Sequence, residues 1–280
     1  MIFLILSIIS TVVLFLLFKE FQKRNIDTAV AITFNYIFGS LIAYLFYPVK
    51  SNISDIIYTP WIFLAVILGF LFVIMFNVMA ITTQKLGISI ASTAAKMSLI
   101  IPVILTYLLQ ENVHLSYIKL SGILLGIISV YFTLKKDYNI SGSFKIAIIL
   151  FFGAGILDSL LDIIRNKYLY NDNDFILFII TVFFIAFISG LIKIAATRKY
   201  IKIKNIIAGL FLAIPNYFSI YFVLKSLEIL GAIIVFPILN IGVVLASSIL
   251  SWLFYKEYIN KLNWFGILLA CLSIFLILTF

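Results

Sequence analysis

Apolar residues in this chain fall in long unbroken runs, at roughly 1 to 18, 28 to 47, 60 to 83, 88 to 109, 115 to 134, 144 to 164, 174 to 195, 205 to 227, 232 to 255 and 262 to 280. A helix needs about 20 residues to cross some 30 Å of hydrocarbon, and each run has about that length. Ten spans in 280 residues leave 28 for each span with its connector, so no soluble domain fits beside them. A transmembrane barrel would instead alternate apolar and polar positions over about ten residues. The pattern therefore predicts an all-α integral membrane protein with ten transmembrane helices. The first run starts at Met1 and reaches Lys19 without a small-residue cleavage signal, so it reads as a retained helix.

Composition agrees: 64% of residues are apolar and 11% charged, a balance no ordinary soluble domain has. The formal charge of +9 comes from short basic clusters between the spans. A nucleic-acid interface would need a continuous basic stripe, so none is expected. With Cys271 and His114 as the sole residues of their types, a disulfide within the chain, a Cys/His zinc site and a haem pair are not expected, and no cofactor is called for. The sequons at Asn52 and Asn139 are three crossings apart, so at most one could be glycosylated. The odd-numbered loops hold fourteen Lys and Arg, among them Lys19, Lys23, Arg24, Arg198 and Lys199, and the even-numbered loops hold five. By the positive-inside rule the odd loops face the cytoplasm and both termini lie outside.

Shifting the chain by 144 residues lays the ten spans on one another as two sets of five, residues 1–143 and 144–280, with Gly87 on Gly231 and Gly122 on Gly266. Glu111 and Glu257 follow at corresponding places, offset by two residues. Because five is odd, the second set enters the membrane from the opposite face. Two inverted five-helix repeats are thus expected, an arrangement suited to alternating access.

The segment from Thr82 to Ser92, then Lys96-Met97-Ser98 and Pro102, and in the second half Phe236-Pro237, Asn240-Ile241-Gly242, Lys256-Glu257 and Trp264-Phe265-Gly266 together resemble the EamA branch of the drug/metabolite transporter superfamily. The resemblance spans the whole chain. It implies ten helices around a central cavity, a monomeric working unit in a bacterial inner membrane, and movement of small metabolites without ATP hydrolysis. It also implies cytoplasmic termini, opposite to the charge count.

Lys96 is the sharpest feature, since it falls near the midpoint of the span at 88 to 109. A charge there costs about 2.5 to 3.5 kcal/mol, so it should face a wet cavity or an acidic partner. Ser89, Ser92, Thr93 and Lys96 have i, i+3, i+4, i+7 spacing and share one helix face. Under the 144-residue shift Lys96 falls on Asn240, which shares a face with Ser247 and Ser251. Phosphate-translocating relatives resemble this arrangement but supply basic residues from both central helices. One ammonium with amides and hydroxyls suits a single carboxylate better. The competing reading is that Lys96 braces a buried carboxylate and that the amide and serines bond neighbouring helices.

Further candidates for substrate contact are Asn35, Tyr36, Asn77, Asn216, Tyr217 and Tyr221. Pro102, Pro215 and Pro237 fall within spans, where a missing amide proton permits bending; Pro102 and Pro237 are the candidate gates. Asp158 is a candidate for proton coupling, Asp162 and Arg165 are expected to pair, and Lys225 and Glu228 likewise. Trp61 and Trp264 begin spans and read as interface anchors. The chain has no His-Glu-x-x-His pair and no Gly-x-Ser-x-Gly elbow, which argues against an intramembrane enzyme. The expected function is secondary transport of a small organic metabolite, an amino acid or small organic acid being favoured. A flippase for a lipid-linked carrier is the alternative.

Overall fold

The computed structural model describes residues 1–46, 56–109, 116–134, 141–169 and 172–279. Asn52, Glu111, His114 and Asn139 lie outside the described residues, as does the side chain of Arg165, so the Asp162–Arg165 pair does too. Eleven helices follow in order: α1 (Ile2–Lys23), α2 (Thr28–Phe46), α3 (Ile62–Leu86), α4 (Ile88–Met97), α5 (Ile100–Leu109), α6 (Tyr117–Leu134), α7 (Ser141–Tyr168), α8 (Asp172–Ala196), α9 (Ile203–Leu230), α10 (Ala232–Tyr255) and α11 (Lys261–Thr279). Among the described residues there is no strand, and nine segments are long and apolar enough to cross a membrane, with Tyr117–Thr133 a shorter apolar helix. The protein is an all-α integral membrane protein.

One expected helix is two. The run at 88 to 109 breaks at Ser98 and Leu99 into α4 and α5. Pro102 supplies the reason, because it has no N–H to donate to the Ser98 carbonyl four residues earlier. That carbonyl instead accepts from Ile101 N–H at 2.9 Å, a tighter i, i+3 closure. The Ser98 hydroxyl turns back onto the Ala95 carbonyl at 2.6 Å. The helices containing Pro215 and Pro237 run through their prolines.

The chain divides into two compact units, each drawing on both sequence halves: Met1–Lys19, Val78–Ile156 and Phe218–Phe280 form the first, Glu20–Asn77 and Leu157–Tyr217 the second. In the first unit α6 and α11 run antiparallel through a seam of small residues. A Cβ on Gly122 would stand 2.9 Å from Ile277, one on Gly126 2.7 Å from the Ser273 hydroxyl, and one on Gly266 2.5 Å from the Thr133 backbone nitrogen. Close backbone approach replaces hydrophobic driving force inside a bilayer. The seam adds polar bonds: Ser273 Oγ donates to the Gly122 carbonyl at 2.7 Å, and Asn263 Nδ2 to the Phe132 and Thr133 carbonyls at 3.2 and 2.9 Å. The second unit packs α2 on α8 in the same manner, with Gly39 against Phe183 and Gly190 against Thr33. Trp61, read from sequence as an interface anchor, is instead 3% exposed and packs edge-on against Phe178.

In the first unit, Gly87 ends α3 and starts α4 with φ of 107°, a conformation open chiefly to glycine. Its carbonyl accepts from Ala91 and its N–H donates to Thr83. Gly231, 144 positions on, repeats this between α9 and α10, with φ of 75° and bonds to Leu227 and Val235. At Gly87 a further group takes part. The Glu257 carboxylate accepts the Ile88 N–H at 3.2 and 2.9 Å and pairs with Lys19 at 3.1 Å, so α4 begins on an anion whose charge Lys19 balances. Glu257 is held in place because Lys256 adopts φ of 49° and closes α10, returning the Glu257 N–H to the Ser251 carbonyl at 3.3 Å.

Removing this clamp should be costly. Glu257→Ala strands the Ile88 amide and Lys19 together, and we expect a loss of about 1.5 to 3 kcal/mol, read as a lower thermal midpoint of the detergent-purified protein. Glu257→Gln retains an acceptor and should fall between. A midpoint for Glu257→Ala equal to that of the unmodified chain would show the clamp to be inert.

Candidate functional site

Lys96 occupies the last turn of α4, immediately before the break. That turn carries the negative end of the helix dipole, where an ammonium is stabilised. Lys96 is partly buried, between the buried Ala94 and Met97. On the other side of the break, α5 presents the positive end of its own dipole.

α10 packs antiparallel against α4. The hydroxyls of Ser92 and Ser247 are 2.5 Å apart and those of Ser89 and Ser248 2.9 Å apart. Ser89 is 5% exposed, and Ser92, Ser247 and Ser248 are fully buried. These serines join two helices, which is how small polar residues commonly act in a membrane. Further along, Met97 shares a core cluster with Val244, and Ile241 packs against it. The register therefore carries Lys96 and Asn240 to one level of the α4/α10 pair, with Asn240 partly buried. Pro102 is partly buried in α5 and Pro237 buried in α10. Tyr221 is partly buried in α9 and stacks edge-on with Phe218 and Phe222. Lys225 and Glu228 pair at 2.8 Å, as their spacing predicts.

The second unit gathers another set. Asn216 Nδ2 donates to Asn35 Oδ1 at 3.2 Å, and Asn35 is fully buried with its Nδ2 without an acceptor. The two residues come together where Gly209 lets α9 approach α2 closely, since a Cβ there would stand 2.7 Å from the Ala31 carbonyl. Tyr36 is fully buried, donates from its hydroxyl to the Phe72 carbonyl at 2.9 Å, and is ringed by Phe72, Phe76 and Phe183. Its phenol is engaged in packing. Asn77 returns its amide to Val73, one turn back on its own helix, at 2.7 Å. Tyr217 stacks on Phe46. Asp158 and Asp162 are exposed on α7.

Two features of the site escaped the sequence reading. The break beside Lys96 was signalled by Pro102, but the residue read as a gate rather than as the end of a helix. The orphaned Asn35 amide had no signal in the chain, because it depends on a partner 181 positions away. Among the described residues no group of His, Cys, Asp and Glu is arranged to hold a metal.

Comparison with known proteins adds to this geometry. An uncharacterized protein of Haemophilus influenzae is 29% identical over 288 aligned positions, covering 97% of this chain and 96% of that protein. The model of the EamA-like transporter family matches residues 145–279, which include α10 with Asn240, the Lys256-Glu257 pair and the whole of α11. The second half of the chain is thus similar to the EamA-like transporter family.

Proposed function

We propose that the protein is a secondary transporter that carries a small organic solute with one carboxylate, an amino acid or small organic acid, by alternating access. The observation that carries this reading is the interruption of an apolar span next to its one internal cation. Discontinuous helices at mid-membrane place helix ends and unpaired backbone groups where a solute can use them. An intramembrane charge is retained for a use or a partner. Here Lys96 offers the charge, and Asn240 offers a neutral donor and acceptor close to it along the α4/α10 pair. A single ammonium without a bidentate guanidinium fits a lone carboxylate and lacks the second cation a phosphate clamp would need.

Inverted repeats are part of the proposal, and the pairing of helices supports them. Three of the five span pairs that the 144-residue shift equates pack together, α2 on α8, α4 on α10 and α6 on α11, alongside non-equivalent neighbours such as α10 and α11. Each pair is antiparallel, as Ser40 to Ile180 and Thr33 to Gly190, Ser89 to Ser248, and Gly122 to Ile277 with Thr133 to Gly266 illustrate. Equivalent helices meeting in opposite directions are what a two-fold axis in the membrane plane produces. In the α2/α8 pair the equivalent positions themselves meet, Gly39 on Phe183. In α4/α10 the same register brings the equivalent positions together around Met97 and Ile241, next to Lys96 and Asn240.

Purified protein in proteoliposomes, tested with radiolabelled amino acids, organic acids and nucleosides, should transport carboxylate-bearing solutes. Lys96→Ala should lower the rate by a factor of ten or more while the protein still inserts, corresponding to about 1.4 kcal/mol or more. Transport of the same solutes at the unmodified rate by Lys96→Ala would reject the carboxylate assignment.

Pro102→Ala returns an N–H to the Ser98 carbonyl and should join α4 to α5. Hydrogen exchange at residues 98–103 should slow, and turnover should change with it. Unchanged exchange and unchanged turnover would together remove the break from the mechanism.

A further inference from the structure

At one end of the second unit the connector from α1 to α2 and the connector from α8 to α9 are tied together. Lys199 Nζ donates to both oxygens of Asp27 at 2.8 Å, the Asp27 N–H donates to Asn205 Oδ1 at 3.2 Å, and Lys204 Nζ donates to the Asn25 carbonyl at 2.8 Å. Arg198, with φ of 49°, closes α8 by a left-handed turn in which the Lys199 N–H returns to the Ile194 carbonyl at 3.1 Å. Residues 199–202 then run without helical structure into α9.

This end is strongly cationic. Within the second unit it gathers Lys23, Arg24, Lys193, Arg198, Lys199, Lys202 and Lys204 against Glu20 and Asp27. Both acids are already engaged, Glu20 with Lys23 and Arg24 and Asp27 with Lys199. Among the described residues no ion pair joins Lys193, Arg198 or Lys202 to an acid, and all three are exposed. Apolar side chains alternate with them: Tyr200 is 87% exposed and Ile203 71%. Because the flanking helices are membrane-spanning in length and apolarity, this strip falls where α8 leaves the hydrocarbon and α9 enters it. Basic residues near such a boundary each gain about 1 kcal/mol from an anionic lipid surface. An exposed Tyr and Ile between them match the acyl edge rather than bulk water.

We propose that the Arg198–Lys204 connector, with Lys193 one turn inside the end of α8, is a binding site for the headgroup of an anionic phospholipid. Arg198 and Lys202 hold the phosphate, Lys193 reaches up to it from the last turn of the helix, and Tyr200 and Ile203 rest against the upper part of the acyl chains. This inference does not depend on the transported solute.

The test is native mass spectrometry of the full chain released from micelles doped with equal amounts of phosphatidylglycerol and phosphatidylcholine. The unmodified protein should retain phosphatidylglycerol preferentially. Arg198→Gln with Lys202→Gln should cut that retention about threefold, whereas Lys225→Gln, which removes a cation elsewhere, should leave it unchanged. The charge-preserving pair Arg198→Lys with Lys202→Arg should restore retention, which separates lost charge from misfolding. If the double Gln variant does not yield folded protein, Lys202→Gln alone should lower retention measurably. Equal retention of both lipids by the unmodified chain, or unchanged phosphatidylglycerol on the Gln variants, would overturn the proposal. Inorganic phosphate at millimolar concentration should fail to displace the lipid; full displacement would make this a free-anion site and overturn the lipid assignment.

Discussion

Hydrocarbon offers no partner to an unpaired N–H or C=O, and this one constraint organises the molecule. Thr33, Thr82, Thr83, Ser189 and Ser226 all return their hydroxyls to the carbonyl four residues earlier on their own helix. Polar side chains satisfied in this way leave the helices free to pack by shape, which is why glycines carry the α6/α11 and α2/α8 seams. The places where a helix must begin or end are the exceptions. Each needs a named group to meet its open ends.

The start of α4 shows how that need was met. Gly87 turns the chain sharply from α3 into α4, and the turn leaves the Ile88 amide facing away from any helical acceptor. Glu257 arrives from 169 positions further on to receive it. A carboxylate at 13% side-chain exposure would be costly alone, so Lys19 from the end of α1 balances it at 3.1 Å. Gln84 and Tyr255 bond the Phe18 and Leu16 carbonyls of that same helix end, at 3.0 and 3.3 Å. Three separate stretches of sequence are thereby pinned around one helix terminus. That helix carries Lys96 at its other end.

Much of this could be read from the chain before any coordinates. Run lengths and composition gave the membrane class and the spans, because apolar residues in sufficient number leave no other solution. Gly87 and Gly231 were legible as equivalent, and their matching turns follow from a residue type that tolerates positive φ. The ion pair of Lys225 and Glu228 lies within one helix turn and needs only spacing. What was not legible depends on tertiary contact. The stripe of Ser89 and Ser92 looks the same in sequence whether it lines water or a neighbouring helix, and only the opposing Ser247 and Ser248 distinguish the two. Tyr36 and Trp61 likewise carry polar atoms that suggest a boundary or a cavity, yet Tyr36 is ringed by Phe72, Phe76 and Phe183 and Trp61 packs edge-on against Phe178.

The break at Ser98 and Leu99 applies the same constraint beside Lys96. A continuous helix from 88 to 109 would have run its backbone dipoles in series through the span. Cutting the helix after Met97 gives that ammonium the negative end of α4 as company. Such stabilisation is modest, about 0.3 to 1 kcal/mol at an exposed helix end and up to about 2 in a partly buried one. On the far side of the cut α5 closes its own first turn, with Ile101 N–H donating to the Ser98 carbonyl at 2.9 Å and Val103 N–H to the Leu99 carbonyl at 3.3 Å. Pro102 makes the cut, because the N–H it lacks is the one that would have bonded the Ser98 carbonyl and carried the helix through.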